Sequence, residues 1–334
     1  MRSELATRVM MADARAVDAA ARTLAAGGLV AFPTETVYGL GADAGNGAAV
    51  ARLYAVKGRP VINPLIAHVA DGAAARRLGR FNDVAERLTA AFWPGPLSLV
   101  LAKMPGCAVC ELATAGLDTI AVRVPAHAIA CAILDRAGRA IVAPSANVSG
   151  HLSPTTAAHV LADLGDRIDL VVDAGATAVG LESTIVACLN ERPLLLRPGG
   201  VSRRAIERVL RAPLAVAADS AGSKEDHARA RLAPGMLVSH YAPRARLRLD
   251  ASTVRGGEAL LAFGPALPLG AENAAAILNL SVSGDLVEAA ANLFSHLRAL
   301  DRTGAATIAV MRLPHDNLGE AINDRLARAA APRA

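Results

Sequence analysis

Short apolar runs alternate along this chain with stretches in which apolar positions recur every three or four residues. The first kind reads as buried strands and the second as amphipathic helices. A helix is predicted over 13–26, capped by Asp13 and stopped by Gly27 and Gly28. A strand at 29–32 follows. Next come a helix around 47–57 carrying Val50, Leu53 and Tyr54, a strand at 65–70, and a helix at 82–92. That helix ends at Trp93-Pro94-Gly95-Pro96, where two prolines force a turn. Strands at 97–102 and 119–124 flank a glycine-containing loop, and a helix at 126–138 leads into a strand at 140–143. Ser153-Pro154-Thr155 reads as the start of a further helix, with Ser153 as cap and Pro154 in the first turn. Strands at 170–173, 183–189 and 194–197 and a helix at 202–210 complete this part. Short strands mixed with helices predict an α/β fold on a twisted, largely mixed sheet.

Periodicity is lost over 211–243, where Ala, Pro, Gly, Ser and charged residues dominate. That stretch reads as a long linker, though it ends in His240-Tyr241-Ala242-Pro243-Arg244, more than a spacer needs. Periodicity returns with strands at 245–249, 259–263, 275–279 and 307–312 and helices near 284–300 and 317–330, the pattern of a small Rossmann-like α/β domain with a parallel sheet. The expected organisation is a catalytic domain over 1–210, a linker or lid over 211–244 and a small domain over 245–334. The small domain carries no evident catalytic constellation.

Composition narrows this picture. The chain has 334 residues, 53% of them hydrophobic but only 3% aromatic, so its core must be aliphatic. A net charge of +5 permits transient contact with nucleic acid without arguing for it. Cys107-x-x-Cys110 has no second Cys pair or His pair at finger spacing, so it reads as structural and no metal site is expected. The first residues form no secretory signal, and no apolar stretch is long enough to span a membrane, so a cytoplasmic protein is expected.

The candidate chemistry concentrates in 32–68. Gly39-x-Gly41-x-x-x-Gly45 misses the dinucleotide fingerprint by one residue and starts too far from its strand. Lys57-Gly58-Arg59-Pro60 is more informative. Gly58 can take positive φ, and Pro60 pushes Arg59 towards extended backbone, so the two cations would project together. Such a pair suits a polyanion, although Lys57 is equally the favourable last-turn cation of a helix. If the following loops are extended, Ser145 and Asn147 share one side, while Thr34 points away from Thr36. Arg123 inside an apolar strand needs a partner or a cavity. Thr36, Lys57, Arg59, Asn63, His68, Arg123, Ser145, Asn147, Ser183 and Arg197 all fall at or near strand ends. Together they describe a cavity for an anionic ligand, with no nucleophile of the protein's own.

These motifs, in this order, resemble the threonylcarbamoyl-AMP synthases of the YrdC type. The resemblance rests on Pro33-Thr34-Glu35-Thr36-Val37-Tyr38-Gly39-Leu40, on Lys57-x-Arg59 with Ser145-x-Asn147, and on Gly116-Leu117-Asp118-Thr119-Ile120-Ala121-Val122-Arg123. Gly180-Leu181-Glu182-Ser183-Thr184 and Arg197-Pro198-Gly199 continue it, and Ser239-His240-Tyr241-Ala242-Pro243-Arg244 marks the long, two-domain branch. The resemblance implies a YrdC-like fold for the first domain and synthesis of threonylcarbamoyl-AMP from L-threonine, bicarbonate and ATP. The product would feed a downstream tRNA threonylcarbamoyl-transferase machinery. It further implies that Thr36, His68, Arg123 and Ser183 hold threonine, with Ala143 contributing main chain where some relatives have Thr. Arg59, Asn63, Thr119, Ser145, Asn147, Ser153, Arg197 and Tyr241 would hold ATP. Lys57 and Arg59 would be the catalytic cations, with Mg2+ held mainly by the phosphates. The linker would fold over the cavity with Tyr241 on ATP. Two other readings stand beside this one: a non-enzymatic module that binds double-stranded RNA or tRNA, and a carbamoyl-transfer maturation enzyme that contains a related domain.

Overall fold

Twelve strands from the first two thirds of the chain join one twisted sheet, and four from the last third form another. The computed structural model describes residues 6–216 and 240–332. The first sheet holds β1 (Arg8–Met11), β2 (Val30–Pro33), β3 (Tyr38–Asp43), β4 (Ile66–His68), β5 (Gly79–Arg80), β6 (Leu97–Lys103), β7 (Thr119–Arg123), β8 (Ile141–Val142), β9 (Leu170–Asp173), β10 (Thr184–Ala187), β11 (Leu194–Arg197) and β12 (Ala215–Val216). Their order is β1-β9-β2-β3-β8-β4-β7-β6-β10-β11-β12, with β5 beside β6. Parallel and antiparallel pairs are interleaved, as the mixed-sheet reading expects. The second sheet, β13 (Arg246–Arg248), β14 (Ala259–Ala262), β15 (Ala276–Asn279) and β16 (Thr307–Val310), pairs throughout in parallel in the order β13-β16-β14-β15.

The predicted helices form with identifiable caps. Asp13 accepts from the amide of Ala16, Asn46 caps Gly47–Lys57, and Asn82 caps Asp83–Phe92. Gly58 closes the second of these in the left-handed region at φ 59°. Three expectations need correction. Ser153 does not start a helix: that helix is Ala157–Leu164, and Thr156 caps it. Tyr38–Asp43, read only as a glycine motif, is a fully buried strand. Its glycines serve close packing, since a Cβ on Gly41 would collide with the Phe32 ring. The first sheet also runs past residue 210, because β12 pairs with β11 inside the stretch expected as linker. Residues 217–239 of that stretch lie outside the described residues.

The two parts share a well-packed face. The helices Leu286–Asp301 and Gly319–Ala330 form an aliphatic core with β14 and β16, and Leu152, Leu181 and Tyr241 join the same cluster. Gly180 sits directly on the backbone of Ala290 and Ala291, with φ at +72°, so no side chain fits there. Ion pairs cross the boundary at Arg298–Asp163, Arg203–Glu320 and Arg325–Glu182.

Candidate active site

The parallel pairing of β4 with β7 sets His68 beside Arg123. Around them a narrow cavity of about 50 Å³ is lined by Thr36, Arg59, His68, Arg123, Ala143, Ser145, Glu182, Ser183, Arg197, His240 and Tyr241, among others. Three buried guanidiniums against one carboxylate make it a place for anions.

At one end Arg123 is 3% exposed. It donates to Glu35 Oε1 (2.6 Å), Thr36 Oγ1 (3.1 Å) and the Gly95 carbonyl (3.2 Å). Those bonds use three of the five N–H groups of a guanidinium, leaving two for a carboxylate. The Trp93–Pro96 turn thus helps to aim Arg123. Burial, and then the charge of Arg123, pushes His68 down to about 3, so its imidazole is neutral at ordinary pH. Thr34 does not point away from Thr36: their hydroxyl oxygens are 2.7 Å apart, and the Thr34 hydroxyl also bonds the Val37 carbonyl. The tight turn at 34–37 brings them into contact. Ser183 completes this end, its hydroxyl 2.8 Å from that of Ser98. The amide of Ala143 donates to the Ile66 carbonyl (3.2 Å), so any ligand contact at Ala143 falls to its carbonyl.

At the other end Arg59 donates to the carbonyls of Asn63 (3.2 Å) and Pro64 (3.0 Å), and burial pulls it down to about 10. Arg197 donates to the Ser183 carbonyl (2.9 Å) and hydroxyl (3.3 Å). Gly199 lies so close to 182–184 that a Cβ would collide with the Glu182 carbonyl. Glu182 accepts from the Ser153 hydroxyl on one oxygen and from Arg325 Nε (2.8 Å) on the other. Burial raises its carboxyl, but Arg325 and then Arg197 outweigh burial and hold it below the usual range. Tyr241 lies at φ +62°, with its ring 5.7 Å from Phe294 and 5.1 Å from the Arg325 guanidinium. It therefore packs on the second part and lines the cavity at once. Beside it, burial pushes His240 down to about 3.

Several expected residues stand outside this lining. Lys57 does not project with Arg59: its ammonium is buried against the carbonyls of Ser145 and Asn147, both at 2.5 Å. Burial lowers it well below its ordinary value, and Arg59 adds to that. Ser145 and Asn147 do not share a side. Ser145 lines the cavity, while the Asn147 amide turns back to the carbonyls of Val148 (2.9 Å) and His151 (2.8 Å). A bend after Ser145, in place of extended chain, separates them. Ser153 reaches the site through Glu182. Asn63 and Thr119 lie at the far end, where the chain enters β4 beside the start of β7. Cys107 and Cys110 pack partly buried against the main core, and no group of three or more metal-binding side chains exists among the described residues. No helix among them is long and apolar enough to cross a membrane.

Sequence reasoning missed Glu182 and His240 in the lining, Glu35 behind Arg123, and, behind Glu182, Arg325. Arg325 lies on the buried face of Gly319–Ala330 with Ala321, Ile322, Leu326 and Ala329. A cation at a core position of an amphipathic helix was the available signal.

Comparison with known proteins agrees over nearly the whole length. The family profile described as telomere recombination (Sua5, YciO and YrdC) matches residues 22–199, and that of the threonylcarbamoyl-AMP synthase C-terminal domain matches 201–331. The threonylcarbamoyl-AMP synthase of Bacillus subtilis is 40% identical, over 91% of this chain and 90% of its own. That of Pyrococcus abyssi is 41% identical, over 92% of each. The crystal structure of P. abyssi Sua5 complexed with L-threonine superposes with a TM-score of 0.85 at 37% identity, covering 97% of both chains. Full-length HypF, at 20% identity and a TM-score of 0.51, shares the fold over 56% of this chain and 30% of its own.

Proposed function

This chain belongs to the threonylcarbamoyl-AMP synthase family, and from that premise we propose how its cavity joins L-threonine, bicarbonate and ATP. The reaction releases pyrophosphate and leaves threonylcarbamoyl-AMP for the threonylcarbamoyl modification of tRNA. The observation that carries the reading is the division of one narrow cavity into a carboxylate-ready Arg123 end and a second end built around Arg59 and Arg197.

Threonine sets its carboxylate on the two remaining N–H groups of Arg123. Its hydroxyl and amine lie among Thr36, Ser183 and the neutral His68, with the Ala143 carbonyl as a main-chain acceptor. The amine takes up the carbon of bicarbonate with loss of water, giving a carbamate. An oxygen of the carbamate then attacks the α-phosphorus of ATP, and pyrophosphate leaves. The substrate supplies the nucleophile, so the protein's share is alignment and charge. Arg59 and Arg197 meet the phosphates, and Ser145 and Tyr241 border the nucleotide. Asn63 and Thr119 extend its path along the edge of β4 and β7, and Ser153 and Asn147 shape the wall. Lys57 fixes the 145–147 segment through the carbonyls of Ser145 and Asn147. The site's carboxylates are committed, Glu35 to Arg123 and Glu182 to Arg325. They do not form a protein site for Mg2+, so magnesium enters as part of the substrate MgATP.

A catalytic domain that reaches at least residue 216, a connecting stretch and a small domain over 245–334 belong to the same reading. So do a cytoplasmic setting, transfer of the product to a separate tRNA-modifying machinery, and at most weak direct contact with tRNA. A purely RNA-binding role has little support, because Arg59, Arg123 and Arg197 are 8%, 3% and 5% exposed and line a narrow cavity instead of an open surface. The test is pyrophosphate release with threonine and bicarbonate omitted in turn. Release is expected only when both are present, and equal release without an amino acid would end the reading.

A further inference from the structure

We infer that the second part of the chain carries a ligand site of its own: a cavity at the carboxyl ends of β13, β14 and β16 that takes a nucleoside monophosphate. It shares no lining residue with the catalytic cavity and does not depend on the function proposed above.

The second sheet is parallel throughout, so its loops gather at the two ends of the strands. The chain leaves β14 towards β15. It leaves β16 towards β13, on which the helix Gly319–Ala330 packs. β14 and β16 are neighbours, so their onward loops part and open a crevice, the place where open α/β sheets hold their ligands. A cavity of about 670 Å³ occupies it, within the range of roughly 300–1,000 Å³ usual for small-molecule sites. Its walls are preformed. The amide of Ala251 donates to the Val310 carbonyl (2.9 Å), and that of Met311 to the Leu261 carbonyl (3.0 Å). The Val254 amide donates to the Leu269 carbonyl (2.8 Å), and Gly270, at φ +82°, lies so close that a Cβ would strike the Val254 carbonyl. The loops after β13 and β14 are thereby pinned to each other.

The lining offers three kinds of contact. Leu267 and Met311 give an apolar wall, with Leu267 50% exposed. Asp250 and Ser252 follow β13, and Arg312 and His315 follow β16. Asp250 is held at φ +52°, uncommon for a residue with a side chain, and such backbone gathers at ligand sites. Among the described residues, no hydrogen bond or ion pair engages these four polar side chains. Arg248 and Glu258, flanking the same loop, are by contrast paired with each other. A flat base suits the apolar wall, a ribose diol suits the Asp250 carboxylate, and a phosphate suits the Arg312 fork. A free amino acid could use the same two charges, but it would fill only a small part of the volume.

Calorimetry on the full chain tests this with AMP, GMP, CMP and UMP as probes, comparing the starting chain with Asp250→Asn and Arg312→Gln. The comparison cancels any nucleotide held in the catalytic cavity. At least one of the four should bind tenfold more weakly, or lose a binding step, in both variants. Both side chains are exposed, so the variants should melt like the starting chain. The matching nucleoside, which lacks the phosphate, should bind Arg312→Gln and the starting chain within twofold of each other. The matching 2′-deoxynucleotide should do the same with Asp250→Asn. Binding of all four nucleotides unchanged by both substitutions overturns the inference. So does a loss in Arg312→Gln that inorganic phosphate reproduces while Asp250→Asn is silent, because the cavity would then be a plain anion site. L-Threonine binding that falls tenfold in Arg312→Gln, with the nucleotides unaffected, would give the cavity to an amino acid and overturns it too.

Discussion

The two ends of the cavity are built differently. The Arg123 end is local: its main charge partner, Glu35, comes from the same turn as Thr36, and His68 sits on the neighbouring strand. The Arg197 end is assembled across the molecule, with Glu182 and Ser153 from the first part, Tyr241 from the end of the linker and Arg325 from the last helix. A local end needs only the first sheet to form. An assembled end responds to how the two parts sit together, and in the function proposed above it is the end that takes the larger, more highly charged substrate. Threonine and ATP should accordingly be separable by substitution.

The largest expected effect is Arg59→Ala. Arg59 is buried and held by two carbonyls, so it is a preorganised donor, whose loss typically costs about 2–4 kcal/mol of transition-state stabilisation. Steady-state kinetics should show kcat/KM for ATP down by roughly 30-fold to 1,000-fold, with threonine KM nearly constant. An equal rise in threonine KM would mean that the two ends are not separate.

A smaller effect sits in the acid limb of stability. His68 titrates near 3 in the folded chain against 6.5 unfolded. A depressed folded value means that stability is full above 6.5 and is lost as the pH falls towards 3, because the unfolded chain takes up a proton that the folded chain refuses. The slope is about 1.4 kcal/mol per pH unit for each such group. His240, also near 3, and His159, near 4, add to it. Denaturation by urea between pH 4.5 and 6.5 should show the slope shallower by one proton in His68→Gln. Because His68 stays neutral, the pH profile of kcat should have no break near 6.5 assignable to it.

How much of this was legible in the sequence follows the same division. The strand-end residues of the local end were readable because alternation and short motifs report on neighbours in the chain. Arg123 inside β7 announced its need for a partner or a cavity, although not that Glu35 would be that partner. The errors came where an extended backbone was assumed and a turn formed. Asn147 and Lys57 were misdirected for that reason, since i, i+2 geometry holds only in a strand; Thr34 was misdirected because that same geometry, applied to 34 and 36, would already have put both on one side. The assembled end was half legible. Tyr241 stood out by its motif, but the Arg325–Glu182 pair spans 143 positions, and no local pattern reports a contact at that separation. β3 was missed because its glycines lower strand propensity, yet they are what lets Phe32 and Ile141 pack against it.

The smallest expected effect tests whether the local end is truly local. With Thr34 pointing away from Thr36, Thr34→Val would be nearly silent. In the folded chain the Thr34 hydroxyl lies 2.7 Å from Thr36 Oγ1 and from the Val37 carbonyl, and it accepts from the amides of Thr36 (3.2 Å) and Val37 (3.3 Å). Valine keeps the shape and deletes all four contacts. Thr34 is 3% exposed, so the groups left behind cannot turn to water. The expected cost is about 1–3 kcal/mol, divided between folding and the orientation of Thr36. Because Thr36 is a hydrogen-bond partner of Arg123, the kinetic part should appear as a several-fold rise in threonine KM with ATP KM unchanged. Thr34→Ser, which keeps the hydroxyl, should return threonine KM towards its starting value. A rise in ATP KM instead would show that the turn at 34–37 reaches the phosphates, and the cavity would then have to be treated as one unit.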